Sequence, residues 1–171
     1  MRRQSLKEAK NVPTFEDPQA FLAAAPEKSA LLGLDLGTKT IGIACSDVTR
    51  TIATPMETIR RSKFKKDLAA LLTIIDERQI GGVVMGLPIN MDGTEGPRAQ
   101  STRAFVRNVL KEVDLPFIFW DERLSTAAVT RTLLEADSSR AKRAEVVDKM
   151  AASYILQGFL DRIADQPSRD D

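Results

Sequence analysis

The chain has 171 residues, 43% of them hydrophobic and 29% charged, which suits one globular domain with a proper core. Its formal net charge of +1 argues against nucleic-acid binding over the whole surface, but it allows a local basic patch. The absence of histidine excludes hydrolases with a histidine base and histidine-bound zinc, and the single cysteine, Cys45, excludes an internal disulfide. Any bound metal must therefore have oxygen ligands, which favour magnesium, manganese or calcium.

The first residues predict neither a secretory signal nor a membrane anchor. Polar and charged residues follow Arg2 and Arg3, and no stretch of the chain approaches the roughly 20 apolar residues of a membrane span. A reducing cytoplasm is the expected location for a chain with one cysteine. Residues 1–28 contain three prolines and no consistent hydrophobic period. We expect them to form a flexible or loosely attached extension, with at most a short helix from about Pro18 to Ala25.

The pattern from Ser29 onwards predicts one domain over residues 29–164, followed by a disordered tail at 165–171. The segments ALLGLDLG and TIGIACSD predict two strands joined by a tight turn, and such close strands are normally antiparallel. A third strand is predicted in TIATPMETI, where Pro55 marks an edge or a bulge.

Helices and buried strands alternate in the rest of the domain. The segments VVMGLP and PFIFWDE predict two strands that run parallel to the first. The predicted helices cover about residues 63–79, 97–113, 125–136 and 144–163. This order implies an α/β fold whose mixed five-stranded sheet has three antiparallel strands, then two parallel strands, and helices on both faces.

Four carboxylates occur beside apolar runs, where an ionised acid is costly unless a partner compensates it. Asp35 follows the first strand, and Asp121 and Glu122 end the last one, at the strand ends where sites gather in open α/β sheets. Asp148 is the one acid on the apolar face of the last helix, whose small alanines would let it approach the sheet. If these acids converge, a bound divalent cation explains them best. A metal-dependent reaction on a phosphate-bearing substrate is then the leading hypothesis.

Each acid also has an ordinary structural explanation. Asp35 could form a turn, and the helix dipole favours an acid such as Asp148 in a first helical turn. Asp121 and Glu122 are neighbours, so in a strand they point to opposite faces and only one is expected to bind metal. The other would pair with Arg123 or cap the following helix, and the sequence leaves this choice open.

Basic residues near the acids are candidates for binding a phosphate backbone. Lys39 follows the first acid, Arg98 and Arg103 flank the glycine-rich loop INMDGTEGPR, and Arg123 adjoins Glu122. A second group just before Asp148 consists of Arg140, Lys142 and Arg143. A third basic stretch contains Arg60, Arg61, Lys63, Lys65 and Lys66. Its part from Lys63 to Lys66 is more simply explained as a solvated helix start.

Four segments together resemble the YqgF family, also called RuvX, over roughly residues 30–162. They are LGLDLGTKTIGIACSD, GLPINMDGTEGPRAQ, FIFWDERLST and SSRAKRAEVVDKMAASYILQGFLD. The resemblance implies a ribonuclease H-like, RuvC-like three-layer fold and a nuclease that processes the precursor of 16S rRNA in ribosome biogenesis. It also implies catalytic acids at Asp35, the Asp121–Glu122 pair and Asp148. Asp35, Glu122 and Asp148 would hold two Mg²⁺ or Mn²⁺ ions, as in a two-metal-ion mechanism.

Other functions remain open from the sequence. A Holliday junction resolvase-like DNA endonuclease would use the same acids, and a non-catalytic nucleic-acid-binding or ribosome-assembly factor could share the fold. The segment DLGTKTIG also looks like the phosphate-binding hairpin of actin-like ATPases, which need two domains to enclose a nucleotide. The expected partner is structured RNA or branched DNA, without a membrane. Monomer and homodimer both remain possible.

Overall fold

The computed structural model describes residues 14–124 and 140–165, and the side chains of the last helix from Asp148 onwards. Its elements are α1 (Pro18–Ala24), β1 (Ala30–Leu36), β2 (Thr40–Ser46), β3 (Ala53–Arg60), α2 (Phe64–Glu77), β4 (Ile80–Leu87), α3 (Pro97–Leu110), β5 (Phe117–Asp121), a 3₁₀ turn (Glu122–Leu124) and α4 (Arg140–Ala164). The helix predicted at 125–136 lies outside the described residues. Within them, no helix has the length and apolar character needed to span a membrane.

The sheet has the strand order β3-β2-β1-β4-β5. Strands β1, β2 and β3 are antiparallel neighbours, whereas β4 pairs in parallel with both β1 and β5. The tight turn between β1 and β2 is closed by the amide of Gly37, which donates to the carbonyl of Thr40 at 2.8 Å. The sequence predicts this mixed sheet, with three antiparallel strands followed by two parallel ones.

Helices cover both faces of the sheet, and β1 and β4 are therefore buried on both sides. Leu32 and Leu34 of β1 face a core that includes residues of α2 and α3. Leu31, two positions before Gly33, faces the opposite core, to which α1 and α4 contribute. Asp35 continues this second series, so its side chain belongs to the face that α4 covers.

The end of the predicted extension packs on the domain rather than being loosely attached. Helix α1 confirms the expected short helix, and its Phe21 is fully buried, with its ring centroid 5.6 Å from that of Phe159. Upstream, the backbone of Phe15 forms a parallel bridge with Ile118. A single buried aromatic side chain leaves no period in the sequence, which is why the pattern did not reveal this attachment. Residues 1–13 lie outside the described residues.

Replacing Phe21 by Ala tests whether α1 is part of the folded core. We expect the free energy of unfolding to fall by about 3–5 kcal/mol, because the change removes a fully buried ring. Chemical denaturation followed by circular dichroism measures this change. Ala23→Ser alters an exposed position of the same helix and should shift the unfolding midpoint little. Equal stabilities of the two variants would show that α1 does not contribute to the core.

Candidate functional site

Asp35 lies near the end of β1, and each of the two neighbouring strands has a glycine beside it. It is completely buried, and it pairs with Gly42 of β2. On the other side Leu34 pairs with Met85, so Asp35 is level with Gly86 of β4. The neighbouring strands therefore present no side chains beside this carboxylate, and other elements fill the space.

Asp148 occupies the space on the β2 side. A Cβ at Gly42 would overlap the carbonyl oxygen of Asp148, so the backbone of α4 rests directly on β2. The Thr40 hydroxyl donates a hydrogen bond to the Asp148 carboxylate oxygen Oδ2. The same oxygen lies 3.7 Å from where a Cβ of Gly37 would be. The half-buried side chain of Asp148 thus lies over the turn that follows Asp35.

Glu122 occupies the space on the β4 side. It is 6% exposed, and its Oε1 lies 3.1 Å from where a Cβ of Gly86 would be. The strand ends at Asp121, and Glu122 begins the 3₁₀ turn. Because the backbone changes from a strand to a 3₁₀ turn here, the side chains do not follow the alternation between the two sheet faces that a continuous strand would impose. Glu122 and Asp148 therefore lie on opposite sides of Asp35.

Asp121 makes a separate interaction with Arg123. Nη2 of Arg123 donates to Oδ2 of Asp121 at 2.8 Å, and Nε donates to the same oxygen at 3.0 Å. Hydrogen bonding to Asp121 raises the pKa of the Arg123 guanidinium above its usual value. A further bond of 3.4 Å reaches the carbonyl of Asn90, so this pair joins the end of β5 to the loop after β4. Arg123 is therefore engaged within the protein.

The donor set matches a hard divalent cation in its chemistry. Carboxylate and hydroxyl oxygens are the ligands that magnesium and manganese prefer. Among the described side chains, however, no three acids, cysteines or histidines come close enough together to hold one ion. Mg²⁺ is commonly held by one or two carboxylates, with water and substrate phosphates completing its octahedron. The residues fit ion sites of this open kind, each of which one or two of Asp35, Glu122 and Asp148 would hold.

Two exposed cationic residues lie at the turn between β1 and β2. Lys39 is in the turn itself, and its carbonyl accepts from the amide of Arg61 at 2.8 Å. The guanidinium of Arg61 donates to the carbonyl of Gly37 at 2.7 Å. Arg61 belongs to the basic stretch from Arg60 to Lys66, and the pairing of β2 with β3 brings it to this turn.

The other predicted cations differ in how they are held. Arg98 is exposed near the start of α3. Arg103 is bound to Glu95 through two hydrogen bonds of 2.5 and 3.0 Å, and its guanidinium carbon lies 4.7 Å from the ring centroid of Phe119. These bonds raise the pKa of Arg103 and direct it to a partner within the protein. The side chains of the remaining three candidates lie outside the described part of the chain: Arg140, Lys142 and Arg143.

Comparison with known families and sequences covers most of the chain. The family model described as "RuvX: Holliday junction resolvase" matches residues 29–162. A relative from Paramagnetospirillum magneticum, named "Putative pre-16S rRNA nuclease", is 63% identical over 144 residues, which are 84% of this chain and 93% of the relative. A relative of the same name from Rhodobacter capsulatus is 65% identical over 144 residues, with 84% and 91% covered.

Solved structures give more distant matches. T. thermophilus RuvC in complex with a Holliday junction substrate has a TM-score of 0.49 and 13% identity, and the match covers 79% of this chain and 96% of that one. The yeast mitochondrial Holliday junction resolvase Ydc2 has a TM-score of 0.44 and 13% identity, with 96% and 86% covered. Likeness at this level carries no functional argument.

Gly42→Ala tests the close contact between β2 and α4. The new methyl group would overlap the Asp148 carbonyl, so the helix must move or the strand must deform. We expect a loss of about 1–3 kcal/mol in the free energy of unfolding, as is typical of overpacking. Gly96→Ala is the control, because its methyl group would meet only the end of the Asn90 side chain, at 3.3 Å. Chemical denaturation should show a smaller loss for the control, and equal losses would contradict the close packing.

Proposed function

This chain belongs to the RuvX family, described as Holliday junction resolvases, and we propose that it is a metal-dependent nuclease that processes the precursor of 16S rRNA. Relatives more than 60% identical over most of this chain carry the name of a pre-16S rRNA nuclease. The observation that carries the proposal is the buried carboxylate of Asp35, with Glu122 on one side and Asp148 on the other. Ribosome biogenesis in the cytoplasm is the corresponding cellular role.

Three acids carry the chemistry in this proposal. Asp35, Glu122 and Asp148 would supply carboxylate ligands for two Mg²⁺ or Mn²⁺ ions, with Asp35 contributing the central carboxylate. Ions bound there would stabilise the negative charge that develops on the phosphoryl group. The chain has no histidine, so no imidazole acts as the base. Asp121 supports the site indirectly, because its pair with Arg123 anchors the turn that carries Glu122.

The open arrangement of the acids suggests that substrate completes the ion site. Among the described residues, no three acids converge on one ion, and Mg²⁺ readily accepts phosphate oxygens as additional ligands. Ion binding and substrate binding would then support each other. This coupling would favour cleavage only when a phosphodiester group is correctly seated.

Cations around the acids would bind the nucleic-acid backbone. Lys39 and Arg61 flank the β1–β2 turn, and Arg98 lies at the start of α3. Arg140, Lys142 and Arg143, which precede Asp148 in the sequence, are further candidates for phosphate binding. Contacts of this kind recognise shape and charge with little sequence selectivity, as suits structured RNA.

Branched DNA is the second candidate substrate, because the family description names Holliday junction resolvases. Resolving a junction requires two cuts, so a DNA resolvase would act as a homodimer. A monomer with one site would suit trimming of an RNA end. Sedimentation together with cleavage of both substrates distinguishes the two functions.

Asp35→Asn tests the central acid. The amide is nearly the same size but removes the negative charge, so the fold should persist while cleavage falls at least about 100-fold, as expected for a group needed in the transition state. The assay uses structured precursor RNA and a four-way DNA junction with Mn²⁺, with and without chelator. Asp76→Asn changes an exposed acid of α2 and serves as the control. Undiminished chelator-sensitive cleavage by Asp35→Asn would refute the assignment.

Lys39→Ala and Arg61→Ala test the proposed phosphate contacts. Each should weaken RNA binding and reduce the slope of log affinity against log salt by about 1 or less, because one phosphate contact is lost. Binding is measured by fluorescence anisotropy at several salt concentrations. Arg107→Ala removes an exposed arginine from the last turn of α3 and is the matched control. If the salt-dependence slopes of both variants equal that of Arg107→Ala, the β1–β2 turn is not part of the binding surface.

A further inference from the structure

Thr40 connects the two parts of the chain that carry Asp35 and Asp148. It begins β2, is 7% exposed, and lies 108 positions before Asp148 in the sequence. Its carbonyl accepts the hydrogen bond from Gly37 that closes the turn after Asp35. Its hydroxyl donates to the Asp148 carboxylate. One residue thus fixes the turn after β1 and also holds the acid contributed by α4.

The hydroxyl group is well suited to orienting a carboxylate. Threonine is branched at Cβ, so few side-chain rotamers are available and the direction of its donor is restricted. A carboxylate can accept about four hydrogen bonds or metal bonds, so a bond to Oδ2 can orient Asp148 and still be compatible with metal binding. Because Gly37 has no side chain, Oδ2 of Asp148 can lie over it, 3.7 Å from where a Cβ of Gly37 would be.

We propose that Thr40 is a positioning residue that orients Asp148 for binding of a divalent cation, an inference that rests on the proposed function. In this role Thr40 acts through Asp148. Partners that hydrogen-bond to ligating groups in this way tune the affinity of metal sites. The sequence alone suggests no such role, because a threonine in a tight turn is adequately explained by the turn.

The test compares Thr40→Val with Thr40→Ser. Valine keeps the shape and removes the donor, whereas serine keeps the donor and removes the methyl group. Thr102→Val is the matched control, because it removes another buried threonine hydroxyl, one that bonds to the carbonyl of Arg98 within α3. Two readouts are needed: the affinity of the protein for Mn²⁺ alone, from electron paramagnetic resonance of free Mn²⁺, and the Mn²⁺ concentration that gives half-maximal cleavage.

We expect Thr40→Val to weaken Mn²⁺ binding about 10–100-fold and to raise the half-maximal Mn²⁺ concentration by a similar factor. The cleavage rate at saturating Mn²⁺ should change much less than this affinity. Thr40→Ser should restore Mn²⁺ affinity to within about threefold of the wild type, since the hydroxyl donor is retained. Thr102→Val should bind Mn²⁺ as the wild type does, even if it is less stable.

Three outcomes would overturn the inference. If the wild type binds Mn²⁺ and cleaves RNA while Thr40→Val binds Mn²⁺ equally well, the role of Thr40 fails and the proposed function stands. If Thr40→Ser is as impaired as Thr40→Val, packing of the methyl group is responsible rather than the hydroxyl. If the wild type neither binds Mn²⁺ nor cleaves either nucleic acid, the proposed function fails first, and the role of Thr40 fails with it.

Discussion

The position of Asp148 depends on how closely α4 can approach the middle of the sheet. The helix backbone at Asp148 rests on Gly42, and a Cβ at Gly33 would lie only 2.7 Å from the Cβ of Leu156. The helix can make this contact because Gly33 of β1 and Gly42 of β2 have no side chains. The small buried alanines of α4 also allow the close approach. A larger residue at either glycine would lift the helix away from the end of β1. The arrangement of the acids is thus a consequence of backbone packing.

Burial of Asp35 gives the site its electrostatic character. A fully buried carboxylate is unfavourable unless it gains compensating interactions, and the further acids on both sides add to the negative potential. Exposed Lys39 and Arg61 lie around the same strand end, where they can attract a phosphate backbone. Metal cations would then be attracted to the acids at the centre of the site, and the nucleic-acid backbone to the basic residues around them. The net charge of +1 conceals this separation, because it averages over the whole chain.

Sequence patterns predicted the sheet and the candidate acids because both follow from local periodicity and from strand ends. They left open the choice between Asp121 and Glu122, since the alternation of a strand does not continue into the 3₁₀ turn. They also missed the bond from Thr40 to Asp148, because that pairing depends on how distant elements pack. The attachment of residues 14–28 was missed for a similar reason. One aromatic ring, Phe21, can anchor a helix without producing a repeating pattern.

The backbone of Phe15 also affects how molecules of this protein can meet. It donates to Phe117 at 2.9 Å and accepts from Phe119, so part of the outer edge of β5 is already hydrogen-bonded. At the opposite edge, β3 contains Pro55, which has no amide hydrogen to donate. Neither outer strand offers an uninterrupted row of groups to an added strand. Aggregation by continuous strand addition is thereby disfavoured.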